Sequence, residues 1–498
     1  MEKTLLERLK EYSASDFYPL HMPGHKRQWG EGGTSGKGGG AGDGFPNPFS
    51  IDITEIDGFD NLHHAEGILR ESMDRAAEIY GADESCYLVN GSSCGILSAI
   101  CGCTARRGKI LMSRNCHKSA YHGIYLNELD VEYIYPQIIT ELGIQGGILP
   151  EDVEKKLNEN PDIQTVLIVS PTYDGMVSDV RRISEVVHRH GGVLLVDEAH
   201  GAHFPFGKEG EFPVSALDEG ADVVIQSLHK TLPSLTQTAI LHMRKKFLGT
   251  ERMERIKRYL SIYQSSSPSY LFMASMESCI RYMDGEGREA LSRLYERLEG
   301  FRDGCRELTG IQVPGKEWIG RYGVYDMDLS KILMFPGGLR RSGVWLGDWL
   351  REKHHLELEM SAPQYGLALT SLMDGEEGFR RLLNGLKELE QLDVLTGEAK
   401  DEMFYEKAVR SLCHPEAVCR IWEAMEADCE IRPLKECTGE ISAEFVYLYP
   451  PGIPYLVPGE RIADEMILFL SGCQRMGLSI QGMQDLNGFQ LKIWKNKG

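Results

Sequence analysis

The stretch Val223-Val224-Ile225-Gln226-Ser227-Leu228-His229-Lys230 decides how the fold of this chain is interpreted. An earlier stretch, Val193-Leu194-Leu195-Val196-Asp197-Glu198-Ala199-His200, has the same form, a short apolar run followed by polar residues. Short, continuous apolar runs of this kind are typical of strands in a parallel sheet that is covered on both faces. The two stretches therefore predict that a lysine and a carboxylate lie together at one edge of such a sheet.

Further apolar runs, separated by helical or polar segments, predict the rest of the sheet. The runs, these two included, are Cys86–Val89, Ile110–Met112, Val131–Ile134, Val166–Val169, Val193–Val196 and Val223–Ile225. Polar residues follow five of them, at 90–93, 113–117, 170–174, 197–200 and 227–230. Ligands of open α/β sheets bind beyond the carboxyl ends of the strands, so we predict an α/β fold with its site at this edge.

Length and composition predict a multidomain globular protein. The chain has 498 residues, of which 42% are apolar and 26% are charged, and its net charge is −20. This acidity argues against a nucleic-acid or anionic-membrane binder. The N-terminus is a charged helical start and no apolar run could cross a bilayer, so we expect a cytoplasmic protein without a membrane segment. The 12 cysteines form no Cys-x-x-Cys pair, so we expect free thiols and no metal site.

The chain is divided into four regions by its sequence pattern. We expect an N-terminal arm over 1–65 with a glycine-rich loop from Gly30 to Gly44, a large domain over 66–325, a small α/β domain over 326–395 and a C-terminal domain over 396–498. The Gly36-Lys37 pair within the loop does not form a phosphate-binding P-loop, because residue 31 is Glu31 and no Ser or Thr follows Lys37.

The residues at the sheet edge match the needs of pyridoxal 5'-phosphate (PLP). This cofactor requires an amine for a Schiff base, an anion that faces the ring nitrogen and donors for the phosphate. Lys230 is our candidate for the amine and Asp197 for the anion. The alternatives are a surface lysine and a helix N-cap. Their occurrence together after two predicted strands favours the cofactor.

The other candidates surround the same edge. Ser92 and Ser93 lie on a glycine-flanked turn that opens a helix, where free N–H groups attract an anion such as the phosphate, although an ordinary helix cap has the same sequence. Ser227 and His229 can add donors to the same group. His117 can stack on the pyridine ring, and His200 lies either beside the phenolic oxygen of the cofactor or packed at the rim.

A set of motifs along nearly the whole chain resembles one known family. The motifs are His21-Met22-Pro23-Gly24-His25-Lys26, Ile51–Glu55, Asn61-Leu62-His63-His64, Gly91-Ser92-Ser93, Asn115–Ser119, Pro171-Thr172-Tyr173, Asp197–Gly201, Ser227–Lys230, Pro450–Pro454 and Pro458-Gly459-Glu460. Together they resemble the Orn/Lys/Arg decarboxylases of PLP fold type I, and most closely the shorter bacterial form that lacks the N-terminal wing domain.

This resemblance implies a role for each candidate. It implies that Lys230 carries the cofactor, that Asp197 pairs with the ring nitrogen and that His117 stacks on the ring. It also implies that the phosphate is held by Ser92, Ser93, Ser227 and His229. The family fold implies a homodimer or an assembly of dimers, in which the segment Gln264–Tyr270 reaches the neighbouring subunit's phosphate. The Gly30–Gly44 loop would then lie near the active-site entrance.

The expected reaction is the decarboxylation of lysine, arginine or ornithine to the corresponding amine and CO₂. Lys230 or His200 is expected to return the proton to Cα. The cationic side chain of such a substrate requires a carboxylate, for which Glu460, Glu357 and Glu359 are candidates. An aminotransferase or another lyase on the same fold is the alternative, because the anchoring residues do not decide which Cα bond breaks. The sequence does not distinguish among the three substrates.

Overall fold

The structure is a computed structural model that describes residues 5–27, 47–396, 414–448, 452–475, 478–485, 487 and 489–495. The predicted Gly30–Gly44 loop lies outside these residues. The α-helices are Leu5–Ala14, Pro48–Ile51, Ile68–Tyr80, Gly91–Cys103, Lys118–Leu126, Pro150–Glu159, Val180–Arg189, Leu228–Thr231, Lys245–Tyr263, Tyr270–Asp284, Glu286–Cys305, Gly343–His354, Glu376–Thr396, Ile421–Glu426 and Asp464–Arg475. Within the described ranges, no helix has the length and apolar character needed to cross a membrane.

A seven-stranded, mostly parallel sheet forms the centre of the molecule. Its strands, in spatial order, are Glu84–Leu88, Ala239–Met243, Val223–Gln226, Val193–Asp197, Thr165–Val169, Lys109–Ser113 and Asp130–Ile134. All six predicted runs form strands of this sheet, so the α/β prediction is confirmed. The strand Ala239–Met243 was not predicted, and it pairs antiparallel with both of its neighbours.

Helices cover both faces of this sheet, as its continuously apolar strands require. The helix Gly91–Cys103 lies on one face and packs closely against the helix Lys245–Tyr263. Gly102 permits this approach, because a Cβ added there would lie 2.8 Å from the backbone nitrogen of Ile256. The first turn of Gly91–Cys103 is thereby fixed at the carboxyl edge of the sheet, where the predicted site lies.

Smaller sheets complete the fold. One is an antiparallel sheet of Lys331–Met334, Gly366–Leu369 and Met360–Ser361, and another consists of Pro454–Leu456, Val446–Leu448 and Ile480–Gln481. Two-stranded sheets join Tyr18–Leu20 to Leu356–Leu358, Met176–Val177 to Asp326–Met327, Ile138–Ile139 to Ile144–Gln145, and Cys429–Pro433 to Gln490–Trp494. The four domain boundaries stay a prediction.

The His21–Lys26 motif attaches the N-terminal arm to two parts of the molecule. The Gly24 N–H donates to the His229 carbonyl at 2.8 Å, and the Gly24 carbonyl accepts from Ser371 Oγ at 2.6 Å. Lys26 is buried, and its Nζ donates to the Leu369 carbonyl at 2.7 Å and lies 3.6 Å from Asp374 Oδ2. The arm therefore supports the loop that carries Lys230.

Gly24→Ala should destabilise the protein by about 1–3 kcal/mol, because an added methyl group has no room. A Cβ at this position would lie 2.7 Å from the carbonyl oxygen of Leu232, a backbone atom that cannot rotate away. Thermal unfolding measures the effect. Gly300→Ala is the matched control, since a Cβ there meets nothing within 4 Å. If both variants unfolded at the wild-type temperature, the close approach would not matter for stability.

Candidate active site

A cavity of about 540 Å³ opens at the carboxyl edge of the central sheet. Its lining includes Ser92, Ser93, His117, Asp197, His200, His229 and Lys230. Ser227 lies directly behind the lining, fully buried, and its Oγ donates to Ser92 Oγ at 3.0 Å. The structure therefore brings together the residues that the sequence predicts to hold the cofactor.

Lys230 presents its amine to the cavity beside a histidine. The Nζ atom lies 2.9 Å from His200 Nε2. Burial lowers the pKa of Lys230, although the nearby carboxylates of Asp197 and Glu359 oppose this shift. Burial and the Lys230 charge also hold the pKa of His200 well below its usual range. The result is an amine with increased nucleophilicity next to a neutral imidazole.

Asp197 is the last residue of its strand, and it is 6% exposed. Its Oδ1 accepts from the Ala199 N–H at 3.1 Å. Burial raises the pKa of Asp197, and the Lys230 charge partly offsets the rise. The carboxylate is thus held in a desolvated position where it can pair with a buried cation.

The predicted phosphate donors cluster at the start of the helix Gly91–Cys103. Ser92 and Ser93 occupy its first turn, whose backbone N–H groups have no partner within the helix. His229 Nδ1 lies 2.8 Å from the Thr238 carbonyl and therefore donates to it. His229 Nε2 can consequently donate to an anion only when the ring is protonated. Burial lowers the pKa of His229 to about 4, a shift that a phosphate would oppose.

His117 caps the helix Lys118–Leu126 and lines the cavity. Its Nδ1 accepts from the Ser119 N–H at 3.3 Å, which fixes the orientation of the ring. Burial and the Lys230 charge lower its pKa to about 3, so the ring is neutral at physiological pH.

The three carboxylates suggested for the substrate side chain have different surroundings. Glu460 is not available, because both of its oxygens accept from the guanidinium of Arg114, at 3.0 and 2.9 Å. Glu357 does not line the cavity and lies 3.9 Å from Arg351. Glu359 lines the cavity, where it accepts from the Met22 N–H at 2.8 Å and from the Tyr173 hydroxyl.

The Arg114–Glu460 pair joins the C-terminal part of the chain to the cavity wall. Arg114 also donates to the carbonyl of Pro454 at 2.7 Å and to the hydroxyl of Tyr121 at 3.0 Å. The interaction escaped the sequence analysis, because 346 residues separate its partners. The apolar surroundings of the motif Pro458-Gly459-Glu460 were the only available signal that Glu460 is buried.

Two further cavity residues were missed. The sequence predicts Asp174 only as part of a polar strand end and does not predict Tyr365, whose hydroxyl donates to Asp174 Oδ1 at 2.5 Å. The polar strand end at 170–174 is a signal for Asp174. Tyr365 lies 191 residues away from it and has no such signal.

The segment Gln264–Tyr270 lies next to the predicted phosphate site. The Ser265 N–H donates to Asn90 Oδ1 at 3.3 Å, and Asn90 precedes the helix Gly91–Cys103. Ser265, Ser266 and Ser267 are all exposed. That one of them reaches a neighbouring subunit stays a prediction.

Comparison with known proteins identifies the family of this chain. Residues 4–329 match the family model for the Orn/Lys/Arg decarboxylase major domain, and residues 398–497 match that for the Orn/Lys/Arg decarboxylase C-terminal domain. The chain belongs to the Orn/Lys/Arg decarboxylase family. It is 33% identical to the arginine decarboxylase of Bacillus subtilis (strain 168), over 100% of this chain and 98% of that protein. The prediction of a decarboxylase is confirmed.

Solved structures show the same fold. Lysine decarboxylase A from Pseudomonas aeruginosa superposes with a TM-score of 0.75 at 20% identity, over 89% of this chain and 73% of the other. Serine palmitoyltransferase, solved with PLP, superposes with a TM-score of 0.52 at 16% identity, over 65% and 77% of the two chains. These likenesses confirm PLP fold type I, and with the family they imply the cofactor.

We expect Glu460→Gln to lower the free energy of unfolding of this decarboxylase by about 3–5 kcal/mol. The reason is that Arg114 would keep its charge in a buried position without a counter-ion. Chemical denaturation measures the change. Glu416→Gln is the control, since Glu416 pairs with Arg461 at 2.7 Å on the surface, where a pair contributes about 0–1 kcal/mol. Equal effects of the two substitutions would contradict the role of the buried pair.

Proposed function

We propose that this chain binds PLP at Lys230 and decarboxylates a basic amino acid to the corresponding amine and CO₂. The observation that carries the proposal is the position of the Lys230 amine, which lies in the same cavity as Asp197 and the donor cluster around Ser92. Among the three substrates considered, arginine has the most support, because the 33% identical relative is named an arginine decarboxylase.

The residues present fit PLP in number and chemistry. The lining supplies one amine, one buried carboxylate and a set of donors at a helix start, as the cofactor requires. A buried polar atom also lacks a partner: His200 Nδ1 makes no hydrogen bond, although it is out of contact with solvent. A polar ligand in the cavity would satisfy such an atom.

The roles of the protein groups follow from their positions. When bound, PLP supplies an aldehyde that condenses with amines and a ring that accepts the electron pair released at Cα. Lys230 would hold the aldehyde carbon until the substrate amine replaces it. Asp197 would keep the ring nitrogen protonated, and the neutral ring of His117 would stack on one face. Ser92, Ser93, Ser227 and protonated His229 would hold the phosphate.

Proton transfer is assigned to the Lys230–His200 pair. Once the substrate amine had replaced it, the amine of Lys230 would be free within the cavity; in the structure its Nζ lies 2.9 Å from His200 Nε2. The protonated amine of Lys230 would deliver a proton to Cα after CO₂ has left, and the neutral imidazole of His200 would hold this amine in place through their hydrogen bond. The proposal includes a homodimer or an assembly of dimers and a location in the cytoplasm.

The reaction class is tested with a substrate panel. Purified protein, saturated with PLP, is incubated separately with arginine, lysine and ornithine, and both CO₂ and the amine products are quantified. We expect equal amounts of CO₂ and amine from one preferred substrate, because the lost carboxylate is replaced by a proton. Formation of a keto acid without CO₂ would instead indicate an aminotransferase.

Lys230→Ala should abolish both activity and covalent attachment of the cofactor, because among the described residues no other lysine lines the cavity. Borohydride treatment of the PLP-loaded protein, followed by peptide mass analysis, locates the adduct. Lys118→Ala is the matched control, as Lys118 lies near the site but does not line the cavity, and this variant should keep the adduct at Lys230. An adduct at another lysine in the wild-type protein would refute the assignment.

A further inference from the structure

Asp174 and Tyr365 form a buried pair in the wall of the active-site cavity. Asp174 follows the central strand Thr165–Val169, and Tyr365 precedes the strand Gly366–Leu369 of the smaller antiparallel sheet. The exposed fractions of these two residues are 9% and 7%. The Tyr365 hydroxyl donates to Asp174 Oδ1 at 2.5 Å, and both residues line the cavity.

Asp174 is one of three carboxylates that line the cavity among the described residues, and it differs from the other two. Asp197 and Glu359 lie close enough to Lys230 to raise its pKa. Both oxygens of Glu359 also accept hydrogen bonds within the protein. Asp174 accepts from Tyr365 through Oδ1, which leaves Oδ2 for a ligand.

In the described part of the chain, no lysine or arginine forms an ion pair with Asp174. The side chain of Lys331 packs beside Gly175, but its Nζ donates to Asp328 Oδ2 at 2.6 Å. Burial raises the pKa of Asp174 to about 6, although the Tyr365 hydroxyl opposes the rise. A desolvated carboxylate without a counter-ion is costly, and a bound cation relieves that cost.

The surroundings of Asp174 are suited to an organic cation. The ring of Tyr365 stacks on Phe335 with the centroids 5.1 Å apart, which fixes an aromatic face at the cavity wall. Aromatic faces attract guanidinium and ammonium groups. Asp174 and Tyr365 line the same cavity as Lys230, so a substrate whose α-amine reacts at Lys230 has its side chain within reach of this cavity wall.

We propose that Asp174, held in place by Tyr365, binds the cationic end of the substrate side chain. This inference rests on the proposed function, since it requires that the substrate is a basic amino acid whose α-amine reacts at Lys230. It assigns Glu359 to the region around Lys230 and the substrate's α-carbon instead. The pair would thereby select substrates by the charge at the end of their side chain.

The test compares two inhibitors of the PLP-loaded enzyme. One is the amine product of the preferred substrate, and the other is an alkylamine of equal length without the distal cation. Asp174→Asn should raise the inhibition constant of the cationic amine by about tenfold or more, because a charge-assisted hydrogen bond is lost. The inhibition constant of the neutral alkylamine should change little.

Equal weakening of both inhibitors would show that Asp174 only supports the cavity wall, and an unchanged cationic inhibitor would show that it does not contact the ligand. Either result overturns the inference. Asp326→Asn is the matched control, because Asp326 is a half-buried aspartate that does not line the cavity. Both inhibitors should have the same inhibition constants for this variant as for the wild type.

Tyr365→Phe keeps the test decisive if Asp174→Asn does not fold. It preserves the aromatic ring and removes only the hydroxyl that orients Asp174. The inhibition constant of the cationic amine should therefore rise more, relative to wild type, than that of the neutral alkylamine. Equal changes in the two inhibition constants would overturn the inference. Failure of the proposed function has a different signature, namely the absence of the Lys230 adduct or of CO₂ release in the wild-type enzyme.

Discussion

The parallel pairing of the strands Val193–Asp197 and Val223–Gln226 fixes the chemistry of the site. In this register Ile225 lies opposite Asp197, so the first strand ends in the carboxylate while the second continues into Ser227–Lys230. Both strands are buried along their whole length. A shift of one residue would exchange the faces of every side chain and place Asp197 away from Lys230. The separation of the two charged groups is therefore set by the core.

Burial is also what makes the site reactive. The same desolvation lowers the pKa of Lys230 and of the three histidines around it. It raises the pKa of Asp197, which a cationic ring nitrogen would reverse. A lowered amine pKa favours the nucleophilic form that Schiff-base chemistry needs. Burial thus shifts the pKa of each of these groups in the direction that favours its uncharged form.

The sequence predicts this arrangement well where the pattern is local. Continuous apolar runs with polar residues at their ends have few interpretations, so six strands and the whole candidate set could be located. The strand Ala239–Met243 was missed, because His242 interrupts its apolar character; in the structure that histidine is fully buried and bonded to Ser85 at 2.7 Å. Glu357, Glu359 and Glu460 stay open as alternatives in the sequence for a different reason, since the groups that bind Glu359 and Glu460 lie hundreds of residues away from them.

The C-terminal part of the chain contributes residues to the wall of the active-site cavity. Tyr455, Phe469 and Ser479 line the same cavity as Lys230, although the strands that position Lys230 all lie before residue 244. Arg114 lies three residues before His117, so its ion pair with Glu460 holds the loop that carries this histidine against the C-terminal wall. Because a buried ion pair depends strongly on geometry, displacement of the C-terminal wall would also displace His117. The two regions that match the family models thus share one cavity with residues 359–365, which lie between them in the sequence.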